Sequence, residues 1–189
     1  MIAQALEGGF ADPPVEAARG FRAALTALSR PGQIVELAEV SPPAPLSPAA
    51  GALVLVLCDA TTPLHLAGAH DCPALREWIA FHTGAPLVCA AQAAFAIGDW
   101  AALAPLERFA CGQPDYPDRS ATLIVEMDAL GAHGARLTGP GIRATARLSL
   151  PEVAAFRANR ALFPLGHDFF LTAGNRLAGL PRSTIVEEG

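Results

Sequence analysis

Phe163-Pro164-Leu165-Gly166-His167-Asp168, then Phe169 to Ala173, Gly174-Asn175, and Arg176 through Thr184 read as a β-hairpin with decorated ends. Phe169, Phe170, Leu171 and Thr172 form a strand-like run, Gly174-Asn175 tolerates the positive φ of a tight turn, and Leu177 to Leu180 return as a second strand. Pairing these strands brings His167-Asp168 beside Pro181-Arg182-Ser183-Thr184. An acid, an imidazole, a guanidinium and two hydroxyls then sit together. They form either a ligand site or an Asp168-Arg182 pair that closes a sheet edge.

The 189 residues suffice for one domain with a sizeable core, so residues 1–189 are read as a single unit. The chain is 52% apolar and 16% charged, which implies that part of its surface is apolar or covered by a partner. A net charge of -5 and the lack of a basic cluster argue against a nucleic-acid partner. All 13 basic residues are arginine. Without an ε-amino group the chain alone has no pyridoxal-phosphate Schiff base, P-loop lysine or lysine nucleophile. Cys58, Cys72, Cys89 and Cys111 are widely spaced and, with His65 and His70, give no zinc pattern, so no metal is expected. Met1 to Gly9 lacks a basic region, and Ala49 to Cys58 is too short to span a bilayer; a cytoplasmic protein is expected.

Along the chain, Asp12-Pro13 starts a helix in which Val15, Ala18, Phe21, Leu25 and Leu28 recur at helical spacing until Pro31-Gly32. Gln33 to Ala38 alternates like a strand, and Ser41 to Leu46 is a Pro-rich crossing. Ser47-Pro48 opens an all-apolar run to Cys58, a buried helix or a central strand. Thr62 to Ala67, Pro86 to Ala90, Ala93 to Ile97, Ala121 to Met127 and Ala135 to Ile142 read as strands. Asp71 to Phe81, capped by Asp71, and Pro151 to Leu162 read as helices, with a loop from Cys111 to Ser120. This order predicts an α/β layered domain with a mixed central sheet.

Three further places carry chemistry. Arg22 is either a solvated helical arginine or an anion contact. His82 and Thr83 stand at a helix-to-strand junction, lining a ligand crevice or, for His82, capping the last helical carbonyls. Thr138-Gly139-Pro140-Gly141 is a plain turn or an anion nest short of one donor. No hydrolase elbow or paired catalytic acids are visible.

Five segments in order, Phe21-Arg22 with Leu28 to Gly32, Phe81 to Val88, Asp118 to Thr122, Leu137 to Ile142, and Phe163 to Thr184, resemble the PhnH family. These are the H subunits of the bacterial carbon-phosphorus lyase system. The resemblance implies a fold related to the large domain of pyridoxal-phosphate-dependent transferases, without cofactor. It also implies a homodimer that joins G, I and J subunits. In that system the G, H, I and L proteins together displace adenine from ATP with a phosphonate, giving a ribose 1-phosphonate 5-triphosphate. The nucleosidase chemistry is credited to I, so the resemblance implies a non-catalytic subunit. Candidate ligand-binding residues are Arg22, His82, Thr83, Asp168, Arg182 and Thr184, facing ATP or a phosphonate. The alternative is a stand-alone phosphate- or phosphonate-binding enzyme using Arg22 and Arg182.

Overall fold

Ala121, Leu123, Ile124 and Val125 are completely buried, and the strand Thr122–Glu126 sits inside the main sheet. The computed structural model describes residues 7–189, so part of the N-terminal stretch read for a targeting signal lies outside it. The helices are α1 (Pro13–Ser29), α2 (Pro48–Leu57), α3 (Pro73–His82), the single turn α4 (Trp100–Leu103) and α5 (Val153–Ala161). The main sheet contains β1 (Val35–Glu36), β2 (Leu64–Leu66), β3 (Phe95–Asp99), β6 (Thr122–Glu126), β9 (Asp168–Ala173) and β10 (Arg176–Leu180). Its order is β1-β10-β9-β6-β3-β2, with β2, β3, β6 and β9 parallel and the β10 and β1 edge antiparallel. A two-stranded ribbon pairs β4 (Cys111–Gln113) with β5 (Tyr116–Ser120). A small antiparallel sheet sets β7 (Ala135–Thr138) between β8 (Ala146–Leu148) and β11 (Ile185–Glu187).

Both faces of the main sheet are covered, which is why its parallel strands are apolar on both sides. Phe170, Ile124 and Ile97 point into one core with α1, α2 and α3. Phe169, Leu171, Leu123 and Val125 point into the other, with Phe156 of α5, Phe109 and the small sheet. The α/β layering and the mixed sheet match the expectation from sequence.

The hairpin is the expected β9-β10 pair, joined by Gly174-Asn175. Only Gly174 takes a positive φ, +58°, the pattern of a II′ turn whose twist suits paired strands. The run after Ser47 is a helix, because Ser47 accepts a hydrogen bond from the Ala50 amide at 3.2 Å and Pro48 fits the first turn.

Several expectations are corrected. Helix α1 buries Gly20, Ala24 and Ala27, while Val15, Phe21 and Leu25 of the apolar series are exposed. The small face wins because α1 lies close on β10: a Cβ on Gly179 would stand 2.6 Å from the Ala27 carbonyl. Cys72, not Asp71, is the N-cap of α3; Asp71 instead accepts a bond from Arg76 Nη2 at 2.9 Å. The strand expected at Pro86 to Ala90 shrinks to one bridge, Leu64 to Leu87, since Pro86 has no N–H to continue a ladder. The loop expected at Cys111 to Ser120 is the β4-β5 ribbon, and β8 and β11 add strands that the sequence reading lacked.

Gly179→Ala forces α1 off the sheet. Its expected cost is about 1–3 kcal/mol in denaturant unfolding with an unchanged m value; a wild-type midpoint would refute this packing.

Candidate functional site

The open end of the hairpin gathers the cluster expected there, and its geometry is closed. Arg182 donates from Nε to both oxygens of Asp168 at 3.2 Å and from Nη2 to Oδ2 at 2.6 Å, while its backbone amide donates to Oδ1 at 2.8 Å. Nη1 donates to the Pro117 carbonyl at 2.6 Å and Nη2 also donates to Ser120 Oγ. Nε–H, one Nη1–H and both Nη2–H groups are thus engaged, four of the five a guanidinium offers. The side chains of Arg182 and Asp168 are only 14% and 27% exposed. The pair is a clasp between β9, β5 and the turn into β11. Thr184 is buried, with its amide on the Pro181 carbonyl, and its hydroxyl has no partner among the described residues.

His167 turns away from that clasp. Asn159 holds it twice, accepting from its amide at 2.8 Å and donating to its carbonyl at 2.9 Å. The ring Nδ1 lies 3.3 Å from the Ala121 carbonyl, which can only accept, so this nitrogen carries the proton. Burial pulls the His167 pKa below its ordinary value, helped by the positive charge of Arg182; the Ala121 and Leu106 carbonyls and Asp168 oppose the shift.

The other candidates lie elsewhere. Arg22 is exposed on α1, and its guanidinium makes no hydrogen bond among the described residues. His82 belongs to the opposite side of the sheet from Arg182: its ring packs 4.9 Å from Trp78, and its Nε2 lies 3.3 Å from the Glu7 carbonyl. It lines a hollow of about 460 Å3 with Gly9, Phe10 and Leu55, in which neither Arg22, Asp168 nor Arg182 takes part. The helix-capping role read for His82 falls to Thr83, whose hydroxyl donates to the Ile79 carbonyl at 2.8 Å and accepts from the Ala85 amide at 3.0 Å. The six candidates therefore resolve into separate places: Arg22 on α1, His82 and Thr83 at the end of α3, and Asp168, Arg182 and Thr184 at the open end of the hairpin, where Asp168 and Arg182 are hydrogen-bonded.

Sequence reasoning missed a buried polar joint at the other end of the sheet. Glu126, at the end of β6, accepts from the Ser47 amide at 2.7 Å and from Thr172 Oγ1 at 3.0 Å. Burial pushes its carboxyl up, against the pull of those bonds. A carboxylate ending the apolar run Leu123-Ile124-Val125 was the available signal. Cys58 offers no nucleophile, since burial pushes its thiol up to about 12. Among the described residues no cluster of three or more His, Cys, Asp or Glu could hold a metal.

Residues 8–187 match the family described as "Bacterial phosphonate metabolism protein (PhnH)". The chain belongs to the PhnH family. It is similar to "Alpha-D-ribose 1-methylphosphonate 5-triphosphate synthase subunit PhnH" of Rhizobium meliloti (strain 1021), 42% identical over 193 residues, covering 97% of this chain and 96% of the relative. It is also similar to "Putative C-P lyase subunit protein HtxG" of Stutzerimonas stutzeri, 31% identical over 204 residues, covering 95% of each. The segments that resemble the PhnH family meet one another in space. Ser120 of the third meets Arg182 of the fifth. In the fourth, Gly141 has a φ of +80° and its backbone lies against the Ser29 carbonyl of the first, where a Cβ would stand 2.0 Å from the oxygen. That contact makes Thr138 to Gly141 a packed turn.

A folded-state pKa of His167 below the usual 6.5 or so of the unfolded chain means the unfolded state takes the proton first. The His167 contribution is complete above that pH and is lost as pH falls through it. Wild type is expected to lose stability from pH 7 to 5 faster than His167→Asn, whose amide nitrogen replaces Nδ1. Parallel pH profiles in chemical denaturation would contradict a neutral, buried His167.

Proposed function

We propose that this chain is a subunit, without a reaction of its own, of the carbon-phosphorus lyase core complex. It serves the step that forms ribose 1-phosphonate 5-triphosphate from ATP and a phosphonate with release of adenine. The observation that carries this reading is the 42% identity, over 97% of the chain, to a protein named as a subunit of alpha-D-ribose 1-methylphosphonate 5-triphosphate synthase. The site geometry supports it: Arg182 is bound within the fold, and the candidate residues do not assemble around one cavity. A stand-alone enzyme working through Arg22 and Arg182 is not favoured for the same reason.

The proposed partners are a second copy of the chain and the G, I and J subunits. The exposed Val15, Phe21 and Leu25 of α1 provide apolar surface for such contacts, with Arg22 beside them for an acidic group. No helix among the described residues is long and apolar enough to cross a membrane; we place the complex in the cytoplasm, where ATP is available. The kinship with pyridoxal-phosphate transferases belongs to this proposal as architecture alone, because a chain without lysine forms no internal aldimine with the cofactor.

Reconstitution is the test. The cognate G, I, J and L proteins, supplied with ATP and methylphosphonate, are expected to give the triphosphate product by phosphorus NMR only when this chain is present. Equal product without it would overturn the assignment.

A further inference from the structure

A cleft of about 630 Å3 opens on the α5 side of the main sheet, within the roughly 300–1,000 Å3 usual for small-molecule sites. Its walls come from α4, the segment that follows it, and α5. Trp100, Leu106, Phe109 and Leu162 supply the apolar surface. The formal charges in its lining are the carboxylates of Glu107 and Glu152; no arginine contributes to it, although the chain has 13.

The cleft has a fixed wall. Trp100 stacks on Phe156 with centroids 5.0 Å apart at 24°, and Phe156 meets Phe169 edge-on at 4.8 Å. The Trp100 indole Nε1 donates to Glu152 Oε2 at 3.0 Å, which sets both the ring and the carboxylate. At the floor, Asn159 clamps His167 through its backbone. Leu162 stays 51% exposed at the mouth, open to a ligand. An aromatic wall with acidic groups and no arginine in the lining disfavours phosphate or phosphonate, because an anion would meet like charge there; Arg108, 5.0 Å from the Phe109 ring centroid, is held outside the lining by its bond to the Ala102 carbonyl at 3.0 Å.

We propose that this cleft binds a small aromatic molecule that is uncharged or positively charged, its ring against the Trp100 wall and its polar group toward Glu152 and Glu107. The site is separate from the Asp168-Arg182 clasp, and its existence does not depend on membership of the complex.

Three probes with one aromatic body separate charge from shape: 2-naphthylmethylamine, 2-naphthylmethanol and 2-naphthoate. Saturation-transfer NMR on the whole purified chain is expected to show the amine and alcohol binding, and the carboxylate at least about tenfold weaker. Ala158 is an exposed α5 position in the lining, so Ala158→Trp fills the mouth without touching the core and is expected to weaken amine binding by at least about tenfold at an unchanged Tm. In wild type the amine should shift the Trp100 indole N–H resonance and leave that of Trp78 in place. Equal binding of naphthoate, unaltered binding to Ala158→Trp, an unmoved Trp100 signal, or no binding by any probe would each overturn the proposal.

Discussion

The carboxylate of Asp168 held by Arg182 is the contact on which the arrangement of the three sheets rests. Asp168 begins β9, the strand that joins the parallel part of the main sheet to its antiparallel edge. Arg182 stands in the turn between β10 and β11, so the same side chain governs where the small sheet attaches. Its bonds to Pro117 and Ser120 extend the joint to the β4-β5 ribbon. Charge-assisted, multiply bonded pairs of this kind have defined geometry, and removing one partner would strand the other in a largely enclosed setting.

The other family-like segments behave similarly. Thr83 closes the end of α3, His82 pins the chain at Glu7, and the turn at Gly139 to Gly141 seats the end of α1. Residues that look chemical in sequence are thus mostly joints between layers. A subunit that contributes surface and shape to an assembly needs such joints, whereas an independent active site needs a nucleophile, base or cation left free inside a cleft. Arg22, whose guanidinium makes no hydrogen bond among the described residues, lies on an open helix, and the largest cleft described contains no arginine.

Much of the frame was legible because local chemistry and tertiary packing agree there. The hairpin carried its turn residues and its apolar strands, and Asp168 and Arg182 were correctly brought together from pairing alone. The apolar series on α1 misled because close packing on Gly179 rewards small side chains, which carry a weak hydrophobic signal: Gly20, Ala24 and Ala27. Strands β8 and β11 are three residues long and gain their identity from the partner β7, a non-local pairing that periodicity does not reveal. The cleft was illegible for the same reason. Trp100, Phe109, Glu152 and His167 come from distant segments, and only the fold brings them to one wall.

We propose that Arg182 acts as a structural clasp and not as a ligand contact. The 15N–1H resonance of its Nε reports this directly. As a clasp, its proton exchanges slowly and its shift stays constant while ATP or methylphosphonate is titrated to saturation of the reconstituted activity. A saturable shift of that resonance with either compound, matched by faster exchange of its proton, would show that Asp168 releases Arg182 to an anion and would contradict the account.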